Sequence, residues 1–143
     1  MNIIEMDILN VSGPAVICHQ VNCVGIMGGG LALQIRNEWD VVYERYLAKQ
    51  DWQLGDCQII EISDGDSQYV ANLAGQEDIT PNATNPIALG TALRNARDFA
   101  DANGLTLYIP YMIGCGIGGG DWEYISGMID HIAPNAVVCQ LPA

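Results

Sequence analysis

Apolar and polar positions along the chain switch repeatedly between strand and helix periods. Asn2 to Met6 reads as a short strand, with Asp7, Ile8 and Leu9 in the turn behind it, and Ser12-Gly13-Pro14 then breaks the chain. Ala15 to Val21 is a continuous apolar run, the pattern of a strand buried on both faces. Leu31, Ile35 and Trp39 recur at helical spacing, and Val42, Tyr43, Tyr46 and Leu47 predict a second short helix. Gln58 to Ile62 and Tyr69 to Leu73 are strand-like around Ser63-Asp64-Gly65-Asp66, a hairpin pattern. Gly75 to Asn85 reads as a long loop, and Pro86 suits a first helical turn. Leu89, Leu93, Ala96 and Ala100 carry that helix to Gly104, a suitable stop. Leu105 to Pro110 is a strand and Tyr111 to Gly120 a glycine-rich loop. Asp121 is an N-cap for a helix with Trp122, Ile125, Met128, Ile129 and Ile132. Ala136 to Leu141 closes as a last strand. No repeat, linker or low-complexity segment interrupts this order, so residues 1–143 read as one domain. The order predicts an α/β fold: a mixed central sheet, helices on both faces, and a ligand at the carboxyl ends of strands.

Two stretches interrupt the pattern in the same way. VNCVGIMGGGLAL (Val21 to Leu33) and IPYMIGCGIGGGDW (Ile109 to Trp122) each run from a strand end through glycines into a helix start. Glycine lets the backbone take φ > 0 and lets a ligand approach bare amides. A helix N-terminus behind it adds unpaired N–H groups and the positive end of a dipole. Each stretch alone is also what a plain left-handed turn before a helix looks like. The first fits neither G-x-x-x-x-G-K-[ST] nor G-x-G-x-x-G, so it is no P-loop, and it comes too late in the chain and with the wrong spacing for a Rossmann-type NAD oxidoreductase, which is the poorer reading. As two walls of one cleft, they would suit a diphosphate or a phosphorylated sugar.

Composition narrows the partners. The net charge is −12, and the only side-chain cations besides two histidines are Arg36, Arg45, Lys49, Arg94 and Arg97. Such a chain repels a polyanion at long range, so no nucleic acid is expected as a partner. A small anion held by backbone amides remains compatible. No apolar run reaches the roughly 20 residues of a membrane span, and MNIIEMDILN lacks the basic region of a signal peptide, so a cytoplasmic protein is expected. The five cysteines (18, 23, 57, 115 and 139) form no C-x-x-C, and no metal site or cofactor is expected.

HQVNCVGIMGGGLAL, YVANLAGQ and IPYMIGCGIGGGDW together resemble the macrodomain family. The likeness runs over nearly the whole chain. It is nearest to the phage and bacterial branch that processes ADP-ribose 1''-phosphate, with the terminal ADP-ribose protein glycohydrolases as cousins. The resemblance implies a three-layer α/β/α fold with an ADP-ribose cleft, and a monomer is expected. It implies Asp7 as acceptor from the adenine amino group and Ile8 as the backbone neighbour of that ring. Asn22 falls near the distal ribose, and Gly28, Gly29, Gly30 and Leu31 on the first phosphate-side loop. Ile113, Gly114, Cys115, Gly116, Ile117 and Gly118 form the second, around the diphosphate.

The residues themselves leave plainer roles open: Asp7 and Asn22 as turn residues, Asp121 as a helix cap, His19 as a core histidine. Two departures matter. The cousins' nucleophilic lysine falls on Asn72 to Gln76, which reads NLAGQ, and their acid falls on Gly118 or Gly119. The residue before Asp7 is Met6, where the family has glycine. The resulting expectation is a protein that binds ADP-ribose and hydrolyses the terminal phosphate of ADP-ribose 1''-phosphate. Asp121 is the candidate general base and His19 an alternative proton carrier. The competing reading is a non-catalytic ADP-ribose binding module or sponge.

Overall fold

A computed structural model describes residues 1–143. Six strands form one sheet: β1 Asn2–Glu5, β2 Ala15–Asn22, β3 Cys57–Glu61, β4 Gln68–Gln76, β5 Thr106–Pro110 and β6 Val137–Gln140. Four helices accompany them: α1 Gly30–Glu38, α2 Asp40–Ala48, α3 Pro86–Asn103 and α4 Trp122–Ile132. The strand order is β1-β6-β5-β2-β4-β3. All neighbours are parallel except the β3–β4 hairpin, so the sheet is mixed.

One apolar layer packs α3 and α4, through Leu89, Leu93, Ile125 and Ile129, against Val16, Cys18 and Ile109. The other packs α1 and α2, through Ile35, Val42 and Tyr46, against Ile17, Val21 and Val70. Both faces are covered, giving three layers α/β/α. This is why β2, an interior strand, is largely apolar and buried along its length.

Local chemistry sets the ends. Asp7 caps a short 3-10 turn at Ile8–Asn10. Asn85 caps α3 through its side chain, and Gly104 ends it in the left-handed region at φ 65°. Trp39 is a junction between α1 and α2 rather than part of one helix. The loop expected from Gly75 starts later, because β4 runs on to Gln76 and Thr84 forms a bridge with it. No helix is long and apolar enough to cross a membrane.

Candidate functional site

β2 and β5 are parallel neighbours, so the loops leaving their carboxyl ends lie side by side. They line a cleft of about 770 Å³. Of the residues singled out in the sequence, His19, Asn22, Gly28, Gly29, Gly30, Leu31, Ile113, Gly114, Gly116, Ile117 and Gly118 line it.

The first loop is built from Asn22. Its Oδ1 accepts from the N–H of Val24 at 3.1 Å and of Ile26 at 3.3 Å, and its Nδ2 donates to the Ile26 carbonyl at 2.7 Å. Tyr46, fully buried on α2, places its hydroxyl 2.7 Å from both Asn22 O and Oδ1 and accepts from Gly25 N–H at 3.1 Å. Burial pushes that phenol's pKa up to about 12, so it stays protonated to donate. Asn22 therefore holds the turn, one of the roles left open for it. Beyond it, Gly29 caps α1 without a side chain, and the first backbone bond of the helix runs from Leu33 N–H to Gly29 O. The N–H groups of Gly28, Gly29, Gly30, Leu31 and Ala32 have no acceptor within the chain.

In the second loop the N–H groups of Gly114, Gly116, Ile117 and Gly118 are likewise without an acceptor. Met112 takes a left-handed φ of 64°, a strained choice for a non-glycine residue, where the chain turns out of β5. No arginine or lysine lines the cleft. What it offers an anion is backbone N–H and the N-terminus of α1.

Four candidates lie elsewhere. Asp121, expected as general base, is not brought to the cleft: its carboxylate accepts from Glu123 N–H at 3.0 Å as the N-cap of α4. Cys115 is turned inward, its Sγ–H donating to Ile113 O at 3.4 Å. Asp7 and Ile8 follow β1, two places from β5 in the sheet, and do not line the cleft. Asp7 Oδ1 accepts from Leu9 N–H at 2.9 Å, and Ile8 is buried. Lys49, the single lysine, pairs with Asp56 at 3.3 Å outside the cleft.

His19 is buried at the cleft floor within a polar ladder that crosses three strands. Gln58 Nε2 donates to the Arg45 carbonyl at 2.9 Å, which turns Gln58 Oε1 towards Asn72. Asn72 Nδ2 donates to that oxygen at 3.0 Å, which leaves Asn72 Oδ1 to face His19 Nε2 at 2.5 Å. Because a backbone carbonyl can only accept, every bond has a fixed direction and Nε2 carries the proton. Nδ1 is then a bare acceptor, and it has no partner. Burial lowers the imidazole pKa to about 4, with the Asn72 bond opposing.

Several lining or supporting residues escaped the sequence reading. Gln20, Gln76 and Ile79 line the cleft, and Thr84 lies behind the second loop. One signal was available: His19-Gln20 puts two polar residues into an otherwise apolar, doubly buried strand. Gln76 stands at the end of the stretch where the glycohydrolase cousins carry lysine. Its amide accepts from Gln20 Nε2 at 2.8 Å and donates to Asp78 O at 2.7 Å.

Comparison with known proteins agrees with this architecture. An uncharacterized 17.5 kDa protein from the tk-vs intergenic region of Enterobacteria phage T4 is 30% identical over 121 residues, covering 80% of this chain and 77% of that protein. A crystal structure from Bacteroides thetaiotaomicron superposes with a TM-score of 0.89 at 26% identity over 99% of both chains. Thermosipho africanus DarTG, solved in complex with ADP-ribose, shares the fold with a TM-score of 0.79 at 20% identity, over 98% of this chain and 41% of that one. The Macro domain family model matches residues 18–128, and the chain belongs to that family.

Proposed function

We propose that the cleft binds ADP-ribose, with the diphosphate between the two glycine loops. The carrying observation is the convergence of unpaired N–H groups from Gly28–Ala32 and from Gly114 and 116–118 on one cleft without a cationic side chain. Backbone donors in that number suit a small, multiply anionic group. The ADP-ribose held by Thermosipho africanus DarTG, which shares the fold, supports the same ligand. The adenine end is assigned to Asp7 and Ile8, at the same end of the sheet, where Asp7 Oδ2 is uncommitted.

A second reading, hydrolysis of the terminal phosphate of ADP-ribose 1''-phosphate, is supported by one group. His19 is neutral at physiological pH, as a general base must be, and its Nδ1 is bare. That nitrogen is closed off from solvent, and Asp121 is held as a cap, so the geometry favours a binder over an enzyme. Calorimetry with ADP-ribose and with NAD, alongside phosphate release from ADP-ribose 1''-phosphate, tests both. We expect ADP-ribose to bind, NAD to bind much more weakly, and phosphate release to be slow or nil. Equal affinity for ADP-ribose and NAD, or for neither, would remove the binding reading. Rapid turnover that disappears in His19→Asn would reverse the order of the two.

A further inference from the structure

The second loop has no helix directly behind its free amides and no aspartate or asparagine of its own to fold it. What shapes it is the segment between β4 and α3. Asn82 N–H donates to Ile117 O at 2.9 Å, and Thr84 N–H donates to Gly118 O at 3.1 Å. Thr84 Oγ1 donates to Gly114 O at 2.8 Å and accepts from Gln20 Nε2 at 2.9 Å. Gly120 N–H adds a second bond to Gly114 O at 2.9 Å, and Gly119 N–H one to Gly116 O at 3.0 Å. The carbonyls of Gly114, Ile117 and Gly118 are thus held by the segment behind the loop, and that of Gly116 by a turn within it.

A trans peptide unit fixes the consequence. The C=O of one residue and the N–H of the next point in opposite directions. Holding Ile117 O against Asn82, and Gly116 O against Gly119, turns the N–H groups of Gly118 and Ile117 away from those partners, and these are among the amides without an acceptor. The glycines report the same asymmetry. A Cβ on Gly118 would run into Thr84 Oγ1, one on Gly119 into Asn82, and one on Gly114 would come within 3.0 Å of Gln20 Oε1. A Cβ on Gly116 would meet nothing within 4 Å. Most of these glycines are required by the segment behind the loop, and Gly116 is not.

We infer that residues 82–84, locked by Gln20, form a clasp that presets the second loop's amides for an anion before any ligand arrives, with Thr84 as the positioning residue. The inference rests on the ADP-ribose reading and names what prepares that site for the diphosphate. Thr84 does not line the cleft, so its effect runs through the loop.

The test is Thr84→Val, which keeps the side-chain shape and removes both hydrogen bonds, with Thr84→Ser as the conservative variant. Backbone ¹⁵N relaxation on the unliganded protein should give order parameters near the rigid value of about 0.85 at Ile117 and Gly118, falling towards about 0.6 in Thr84→Val. ADP-ribose and ADP should each bind about tenfold more weakly to Thr84→Val, the size of one or two lost net hydrogen bonds. Adenosine, which lacks phosphate, should be unaffected, and Thr84→Ser should restore both rigidity and affinity. A loop equally rigid in Thr84→Val, or unchanged ADP-ribose affinity, overturns the clasp while leaving the proposed ligand in place. Wild-type protein that binds neither ADP-ribose nor ADP overturns the ligand, and the clasp's role in presetting a diphosphate site falls with it. Relaxation then still reports separately whether Thr84 holds the loop.

Discussion

Gly116→Val separates the second loop's role in binding from its role in folding. On the folding side the structure leaves room: a Cβ at Gly116 meets nothing within 4 Å, and the residue is not in the left-handed region. Stability should change by no more than about 0.5 kcal/mol, as for an ordinary surface site. On the ligand side the same space is the cleft. A branched side chain there would displace the diphosphate from the N–H groups of Gly116 and Ile117. Two bonds to a charged group, at about 1.5–3 kcal/mol each, amount to roughly 3–6 kcal/mol, or roughly 10²–10⁴ in affinity.

Calorimetric titration with ADP-ribose and a thermal melt on the same sample provide the assay, and Gly118→Ala is the contrast. Its Cβ would run into Thr84 Oγ1, so it should lower the melting temperature as well as the affinity. The parallel change at Gly29 is less clean. Gly29 is extended, at φ −157°, and has open space around it, but it is the N-cap of α1, where valine is a poor cap. Gly116→Val that binds ADP-ribose like wild type would refute the placement of the diphosphate against this loop. A melting temperature several degrees lower would refute the claim that the loop's free side faces the ligand.

Four further outcomes are expected. Asp121→Asn should keep melting temperature, ADP-ribose affinity and any phosphate release, because asparagine caps a helix about as well as aspartate; lost phosphate release would put the carboxylate back in the chemistry. Tyr46→Phe should weaken ADP-ribose by loosening the Asn22 turn, and should destabilise the fold by about 1–3 kcal/mol through unsatisfied groups at Asn22, measured by urea unfolding. His19 should make stability pH-dependent. Its folded pKa near 4 lies below the unfolded value near 6.5, so the unfolded chain binds the extra proton. The stability is present above about pH 6.5 and lost as pH falls towards 4, by up to about 3 kcal/mol, and His19→Asn should flatten that slope in paired melts at pH 7 and 5. Raising salt from about 10 to 150 mM should leave ADP-ribose affinity unchanged or improve it, since screening relieves repulsion from a chain of net charge −12; a steep loss would mean that side-chain cations hold the phosphates.

The elements were legible because each carries a local cause. Ala15 to Val21 is apolar but for His19 and Gln20 because both faces of β2 are covered, and Asn85-Pro86 and Gly104 mark the two ends of α3 by capping chemistry. The two glycine loops were legible for the same reason. The support behind them was not. Gln20, Gln76 and Thr84 come from three places in the chain and meet only through the register of β2 with β4 and the bridge from Gln76 to Thr84. Single polar residues of this kind have no periodicity to read. Asp121 shows the converse limit: its residue type and position fit a cap and a base equally, and only the bond to Glu123 N–H shows which side the carboxylate faces.

The two loops meet one physical problem by different routes. A backbone N–H binds an anion well only if it already points at it, and an unpaired N–H costs stability unless it keeps contact with water or a ligand. In the first loop the helix supplies the direction: α1 leaves its leading amides unpaired by construction, and Asn22 with Tyr46 only has to fix where the helix begins. In the second loop no helix does this, so the carbonyls must be tied back one by one: Asn82 and Thr84 hold those of Ile117, Gly118 and Gly114, Gln20 braces Thr84, and the loop's own Gly119 N–H holds that of Gly116. That difference predicts unequal tolerance. The first loop's donors belong to a secondary structure that single side chains cannot abolish. Those of the second depend on a few hydrogen bonds from elsewhere in the chain. Fixed neutral dipoles would also let so acidic a protein hold the proposed diphosphate: they attract at contact distance without a charge that long polyanions would follow inward.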